Sequence, residues 1–112
     1  MPTFISQGRY TRDALKGMIA NPEDRAEAVA KLAQQAGGRL VAYYVTSGEY
    51  DFLSIIEAPS EKEAAAAILV AVAGGGVTDM KTFTAMTSAE AKEVFAAAGK
   101  LAGSFRSAGG VT

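Results

Sequence analysis

The chain has 112 residues, enough for one domain with a core of its own. Its 11 basic and 12 acidic residues give a formal net charge of -1, and scattered basic positions such as Arg9, Arg12, Lys16, Arg25, Lys31 and Arg39 do not make the phosphate-binding surface that nucleic-acid partners need. Without cysteine or histidine, the chain cannot form disulfides, thiolate nucleophiles, Cys-type zinc sites or a Ser-His-Asp triad of its own.

Thr3–Tyr10 mixes β-branched, aromatic and polar residues and reads as a first strand. Thr11 is placed to cap a helix from Arg12, and Asn21-Pro22-Glu23-Asp24 reads as a fresh helix start, with Asn21 as cap and Pro22 in the first turn. The first helical segment should therefore break near Asn21 and its second part end at Gly37-Gly38. Arg39–Thr46 and Tyr50–Glu57 read as a hairpin around a two-residue Gly48-Glu49 turn of type II′. Ser60 and Glu63 have the spacing of a capping box. The helix after them is apolar nearly all round and should be buried on more than one side. Gly74-Gly75-Gly76 ends it, and Val77–Ala85 reads as a fourth strand. Thr87 and Glu90 form a second capping-box pattern, ahead of a helix with Ala91, Val94, Phe95, Ala98 and Leu101 on one face. Residues 103–112 read as a flexible, glycine-rich tail, leaving 1–102 as the domain.

The order β-α-β-β-α-β with an extra C-terminal helix predicts an α+β, ferredoxin-like fold: a four-stranded antiparallel sheet of order 4-1-3-2, with helices on one face. The two-residue turn would pair Tyr44 with Leu53 and Ala42 with Ile55 on one face, and Val45 with Phe52, Tyr43 with Ser54 and Val41 with Ile56 on the other. Both faces are then largely apolar, whereas a sheet with one wet face alternates. The expectation is that the second face packs on another subunit, giving a homodimer or higher oligomer; the alternative is that the C-terminal helix folds over it.

The candidate binding residues are Arg9, Tyr43, Tyr44, Gly48, Tyr50 and Asp51. Tyr50 and Asp51 are a polar pair at the hairpin, suited either to a small ligand or to structural duty, with Asp51 accepting turn N–H groups or pairing with Arg9. Arg9, Tyr10, Lys16, Tyr43 and Tyr44 are a second set, suited to a carboxylate or aromatic ligand or to packing. The triple glycine follows a helix and precedes a strand, the reverse of a phosphate loop. Glu57, Glu61, Glu63 and Asp79 lack calcium-loop spacing. No metal, cofactor or catalytic residue is assigned. The start Met1–Ser6 lacks a signal-peptide pattern, and the apolar run Ala64–Ala73 is short of the roughly 20 residues of a membrane span. The expectation is a cytoplasmic protein without membrane or nucleic-acid partners.

The run Gly48-Glu49-Tyr50-Asp51-Phe52-Leu53-Ser54-Ile55-Ile56-Glu57-Ala58-Pro59 resembles the signature of the GYD domain family. Phe4–Thr11, Leu15-Lys16-Gly17 and Gly37-Gly38-Arg39-Leu40 leading to Tyr43-Tyr44 resemble it too, so that the likeness covers most of residues 1–100. It implies a small bacterial protein of the dimeric α+β barrel type. The Gly-x-Tyr-Asp turn is also similar to one in the ligand-sensing domains of leucine-responsive regulators. That likeness implies an intersubunit amino-acid site near Gly48, Tyr50 and Asp51, without the DNA-binding module. Three functions follow: an oligomer that binds or senses a small organic ligand at a subunit interface, a cofactor-independent α+β barrel monooxygenase or isomerase acting on an aromatic or polyketide-like substrate, and a structural oligomerisation module. The first is preferred, and an enzyme is the less favoured reading.

Overall fold

The computed structural model describes residues 1–110; the last two residues of the expected tail, 111–112, lie outside the described residues. The elements are β1 (Thr3–Tyr10), α1 (Arg12–Ala20), α2 (Arg25–Gln35), β2 (Arg39–Val45), β3 (Phe52–Glu57), α3 (Glu61–Ala73), β4 (Val77–Ala85) and α4 (Ser88–Ala102). The sheet is antiparallel in the order β2-β3-β1-β4, the expected 4-1-3-2 order read from the other edge. The chain is thus an α+β, ferredoxin-like fold.

The registers place residues in rows across all four strands, because directly opposed residues share a face. On the side covered by α1, α2 and α3, one row runs Thr84–Phe4–Ile56–Leu40 and the next Thr82–Ser6–Ser54–Tyr43. On the other side the rows are Phe83–Ile5–Ile55–Ala42 and Lys81–Gln7–Leu53–Tyr44. Phe4, Ile56, Ala33, Ala58 and Ala64 form the buried core at one end of the helix side, with Leu40 packed against it. Its alanines let helices approach the sheet closely, but they bury little apolar area.

One bulge alters the expected β2–β3 register, and a second interrupts the pairing of β1 with β4. Leu40, not Val41, pairs with Ile56; Val41 is the extra residue of β2 and is exposed. In β4 the pairing steps from Gln7–Lys81 to Arg9–Thr78, leaving two residues of β4 opposite Gly8. Asp79 takes the left-handed conformation there (φ 53°), which a short polar side chain tolerates better than most.

Other expectations are corrected in detail. Asn21 closes α1 rather than opening α2, whose cap is Asp24, accepting from the Ala26 N–H at 2.9 Å. The hairpin has no two-residue type II′ turn: β2 ends at Val45, β3 starts at Phe52, and Gly48 has φ 155°, far from the roughly +60° of that turn. A wider loop is held instead by the Thr46 N–H on the Asp51 carbonyl (2.8 Å) and the Thr46 hydroxyl on the Tyr50 carbonyl (2.7 Å). Ser60 caps α3 through the Lys62 N–H (3.2 Å) and donates its hydroxyl to Glu63, so neither of the two backbone bonds of the expected box is made. α3 buries only Ala64 and Ala67, leaving Leu69 and Val70 exposed within the chain. The reciprocal Thr87–Glu90 box does form. Gly38 is demanded by space: a Cβ there would sit 1.8 Å from the Glu57 carbonyl oxygen, where the turn after α2 crosses the end of β3. No helix among the described residues is long and apolar enough to cross a membrane.

Candidate functional site

The helix side of the sheet holds a cavity of about 640 Å³, lined by residues of β1, β2 and β3 below and of α1, α2 and α3 above. Its origin lies in the row Thr82–Ser6–Ser54–Tyr43. Where the neighbouring row places Phe4 and Ile56, this one places two serines, which are small, and volume is left above them. Ser6 and Ser54 are both buried. Burying a hydroxyl costs free energy unless it is hydrogen-bonded; Ser6 shares a bond with the Thr82 hydroxyl at 2.8 Å.

Beside the serines stand three rings. Phe52, 4% exposed, lies between Tyr10 and Tyr43, with centroids 5.2 and 5.7 Å away. The two tyrosine hydroxyls meet at 2.5 Å. Gly8 makes room for this stack, since a Cβ there would come within 2.8 Å of the Phe52 ring and 2.5 Å of the Met80 sulfur. Burial pushes the Tyr43 phenol well above its ordinary pKa, and the bond to Tyr10 pushes it further; the positive charge of Arg25 pulls the other way. At neutral pH Tyr43 is therefore a hydrogen-bonding phenol, not a base. Arg25, Glu23, Asn21 and Met18 also line the cavity, and Arg25 is paired to Glu23 at 3.3 Å. α1 buries none of its residues, so this wall is lightly held.

The hairpin motif acts on this cavity indirectly. The Asp51 N–H donates to the Gly8 carbonyl at 2.8 Å, and the Asp51 carboxylate accepts from the Tyr10 N–H at 2.9 Å. Asp51 thus grips β1 on both sides of Arg9, where the β4 bulge interrupts regular pairing, and so sets the position of Tyr10. Neither expected partner of Asp51, the turn N–H groups or Arg9, is the one observed for its carboxylate. Arg9 instead donates to the Glu49 carbonyl (2.8 Å), pairs with Asp79 (3.1 Å) and lies over the Tyr50 ring at 5.3 Å.

The six candidate residues therefore fall in three places. Tyr43 lines the cavity. Arg9, Gly48, Tyr50 and Asp51 cluster at the β2–β3 loop, where a shallow groove is lined by Gln7, Thr46, Ser47, Gly48, Glu49 and Tyr50. Tyr44 stands on the opposite side of the sheet, 60% exposed. Ser6, Ser54, Phe52 and Arg25 were not among the candidates. The signal for the serines was present, as a small polar residue at an inward position of each of two apolar strands. No group of three or more Asp or Glu side chains is placed to hold a metal ion among the described residues.

The model of the GYD domain matches residues 4–95. The chain belongs to the GYD domain family. A GYD-type relative from Thermus thermophilus, the glutamine synthetase and cystathionine beta-lyase binding protein, is 36% identical over 80 residues, covering 71% of this chain and 84% of the relative. Among solved structures, a protein from Thermus thermophilus superposes with a TM-score of 0.51 at 16% identity, over 79% of this chain and 96% of the other. An AsnC family transcriptional regulator from Agrobacterium tumefaciens superposes with a TM-score of 0.53 at 20% identity, over 78% of this chain and 51% of the regulator. These two likenesses concern the fold. The GYD motif itself, Gly48 to Asp51, is the loop that sets Tyr10 beside the cavity.

Proposed function

We propose that this GYD protein binds a small, flat organic molecule bearing hydroxyl or carbonyl groups in the helix-side cavity, as one subunit of a homo-oligomer whose bare sheet faces meet. The observation that carries the reading is the hydroxyl-bearing floor, Ser6, Ser54 and Tyr43 with Tyr10, beneath an otherwise mostly apolar cavity of about 640 Å³. Cavities of this size with a few converging polar groups suit drug-sized ligands. Phe52 and the tyrosine rings offer a stacking surface, the hydroxyls orient a polar edge, and Arg25 on the wall suits an anionic substituent. Binding is favoured over acid–base catalysis because Tyr43 holds its proton and Glu23 is engaged by Arg25. In this reading Asp51 acts through Tyr10, while Arg9, Tyr44, Gly48 and Tyr50 serve the subunit-facing side.

The name of the 36% identical relative favours a second reading, in which the protein docks on an enzyme through exposed apolar surface. The test of the first is a thermal-shift titration with catechol, 4-hydroxybenzoate and 1,4-naphthoquinone. At least one should raise the melting temperature of the wild type by several degrees. The shift should vanish in Ser54→Leu, which fills the floor. No shift with any of the three refutes the cavity reading.

A further inference from the structure

We propose that α4 is an exchanged arm whose apolar stripe packs on a second copy of this chain. The proposal rests on the reading of the chain as an oligomer subunit, and adds the element that holds the subunits together. α4 spans 15 residues, opens with a complete capping box and buries none of its residues. Along one face Val94, Phe95 and Leu101 are 51, 73 and 67% exposed. A helix of this length is marginal in water on its own, and an amphipathic stripe takes most of its stability from what it packs on.

The dimensions of the chain agree. Its radius of gyration is 18.2 Å and its extents 60 × 31 × 22 Å, where a compact domain of this length has a radius of gyration of about 13 Å. Its accessible surface is 7875 Å², against about 5,800 Å² for a compact monomer of 11.5 kDa. The excess, about 2,000 Å² per chain, is shared with the exposed residues 103–110 and the open cavity, and it leaves room for the roughly 800 Å² per partner of a standard interface. α4 does not fold back on the bare side of the sheet, where Tyr44 and Phe83 are 60 and 49% exposed.

A second copy fits better than an unlike partner. The polar flank of α4 carries Glu90, Lys92, Glu93 and Lys100, and the rim of the bare sheet face carries Arg39, Glu57 and Lys81. Neither surface has the single sign that would select an oppositely charged molecule. Both apolar surfaces belong to one chain, and a twofold axis uses each of them twice, so that both chains are covered at once.

The experiment is sedimentation of the full chain from nanomolar to high micromolar concentration, with far-ultraviolet circular dichroism. Val94→Asp/Phe95→Asp removes the stripe without touching the body. It should weaken self-association by about a hundredfold or more while the melting of the sheet domain at matched oligomeric state is unchanged. Ile55→Asp on the bare face is the companion. If Ile55→Asp dissociates the oligomer and the α4 variant does not, the arm is refuted and the sheet contact stands; the opposite result refutes the sheet contact and keeps the arm. Because the chain has no cysteine, Ala96→Cys can carry a single spin label, and dipolar coupling should report a defined distance between chains. A wild type that remains monomeric, or that holds α4 only in complex with another protein, overturns the proposal. None of these readouts depends on the cavity ligand, so the failure of one reading is distinguishable from the failure of the other.

Discussion

Tyr43→Phe removes one oxygen atom and tests the polar half of the cavity. The Tyr10–Tyr43 hydrogen bond, 2.5 Å long, is between neutral phenols, and such a bond contributes about 0.5–1.5 kcal/mol net. Tyr10, 9% exposed, is left with one partner fewer. A fully stranded buried hydroxyl costs about 1–3 kcal/mol, but Tyr43 is half-buried and the site opens to solvent, so a loss of about 1 kcal/mol is expected. The same substitution changes the dependence on alkaline pH. The folded state raises the Tyr43 pKa, so the unfolded chain releases this proton first, at about pH 10. The stabilisation is therefore complete below pH 10 and is lost as pH rises through the folded-state value. Its slope has a ceiling of about 1.4 kcal/mol per pH unit, and solvent screening at a half-buried group lowers that. Urea unfolding of wild type and Tyr43→Phe at pH 8 and pH 11, at one fixed protein concentration, should show the wild type losing more stability at the higher pH. The double variant Tyr10→Phe/Tyr43→Phe should be more stable than the two single losses predict, with a coupling of about 1 kcal/mol. Additive losses with identical pH dependence would refute the coupled pair.

Gly38→Ala places a methyl group 1.8 Å from the Glu57 carbonyl oxygen, a backbone atom that cannot turn aside; a loss of about 3 kcal/mol or more is expected in chemical denaturation, and a change under 1 kcal/mol would contradict the close approach. Asp51→Ala should cost about 1–3 kcal/mol by freeing the Tyr10 N–H. Asp51→Asn keeps an oxygen acceptor and should recover most of that, read by denaturation together with the near-ultraviolet signal of the tyrosines; equal losses in the two variants would assign the effect to charge instead.

Much of the architecture was legible because it rests on local chemistry. The periods of the apolar residues, the Thr11 and Thr87 caps and the glycine stops define segments within a few residues of where they lie. Errors gathered where two local signals compete. Asn21-Pro22 and Asp24 both suit a helix start, and Asp24, the residue directly before Arg25, became the cap. Gly48 suits a tight turn, yet Asp51 is drawn to β1 and the loop widens. The bulges at Val41 and Asp79 depend on how neighbouring strands meet, and no single strand encodes that.

The site divides in the same way. By itself the sequence determined the fold class, the absence of cysteine and histidine chemistry, the family resemblance, and the presence of apolar residues on both sides of the sheet. Only the tertiary structure decided that Ser6 and Ser54 lie side by side beneath a cavity, that Tyr10 meets Tyr43, and that α4 stands away from its own domain. The physical reason is that composition and periodicity record which way a side chain faces, whereas a cavity depends on what residues from strands far apart in sequence leave unfilled between them.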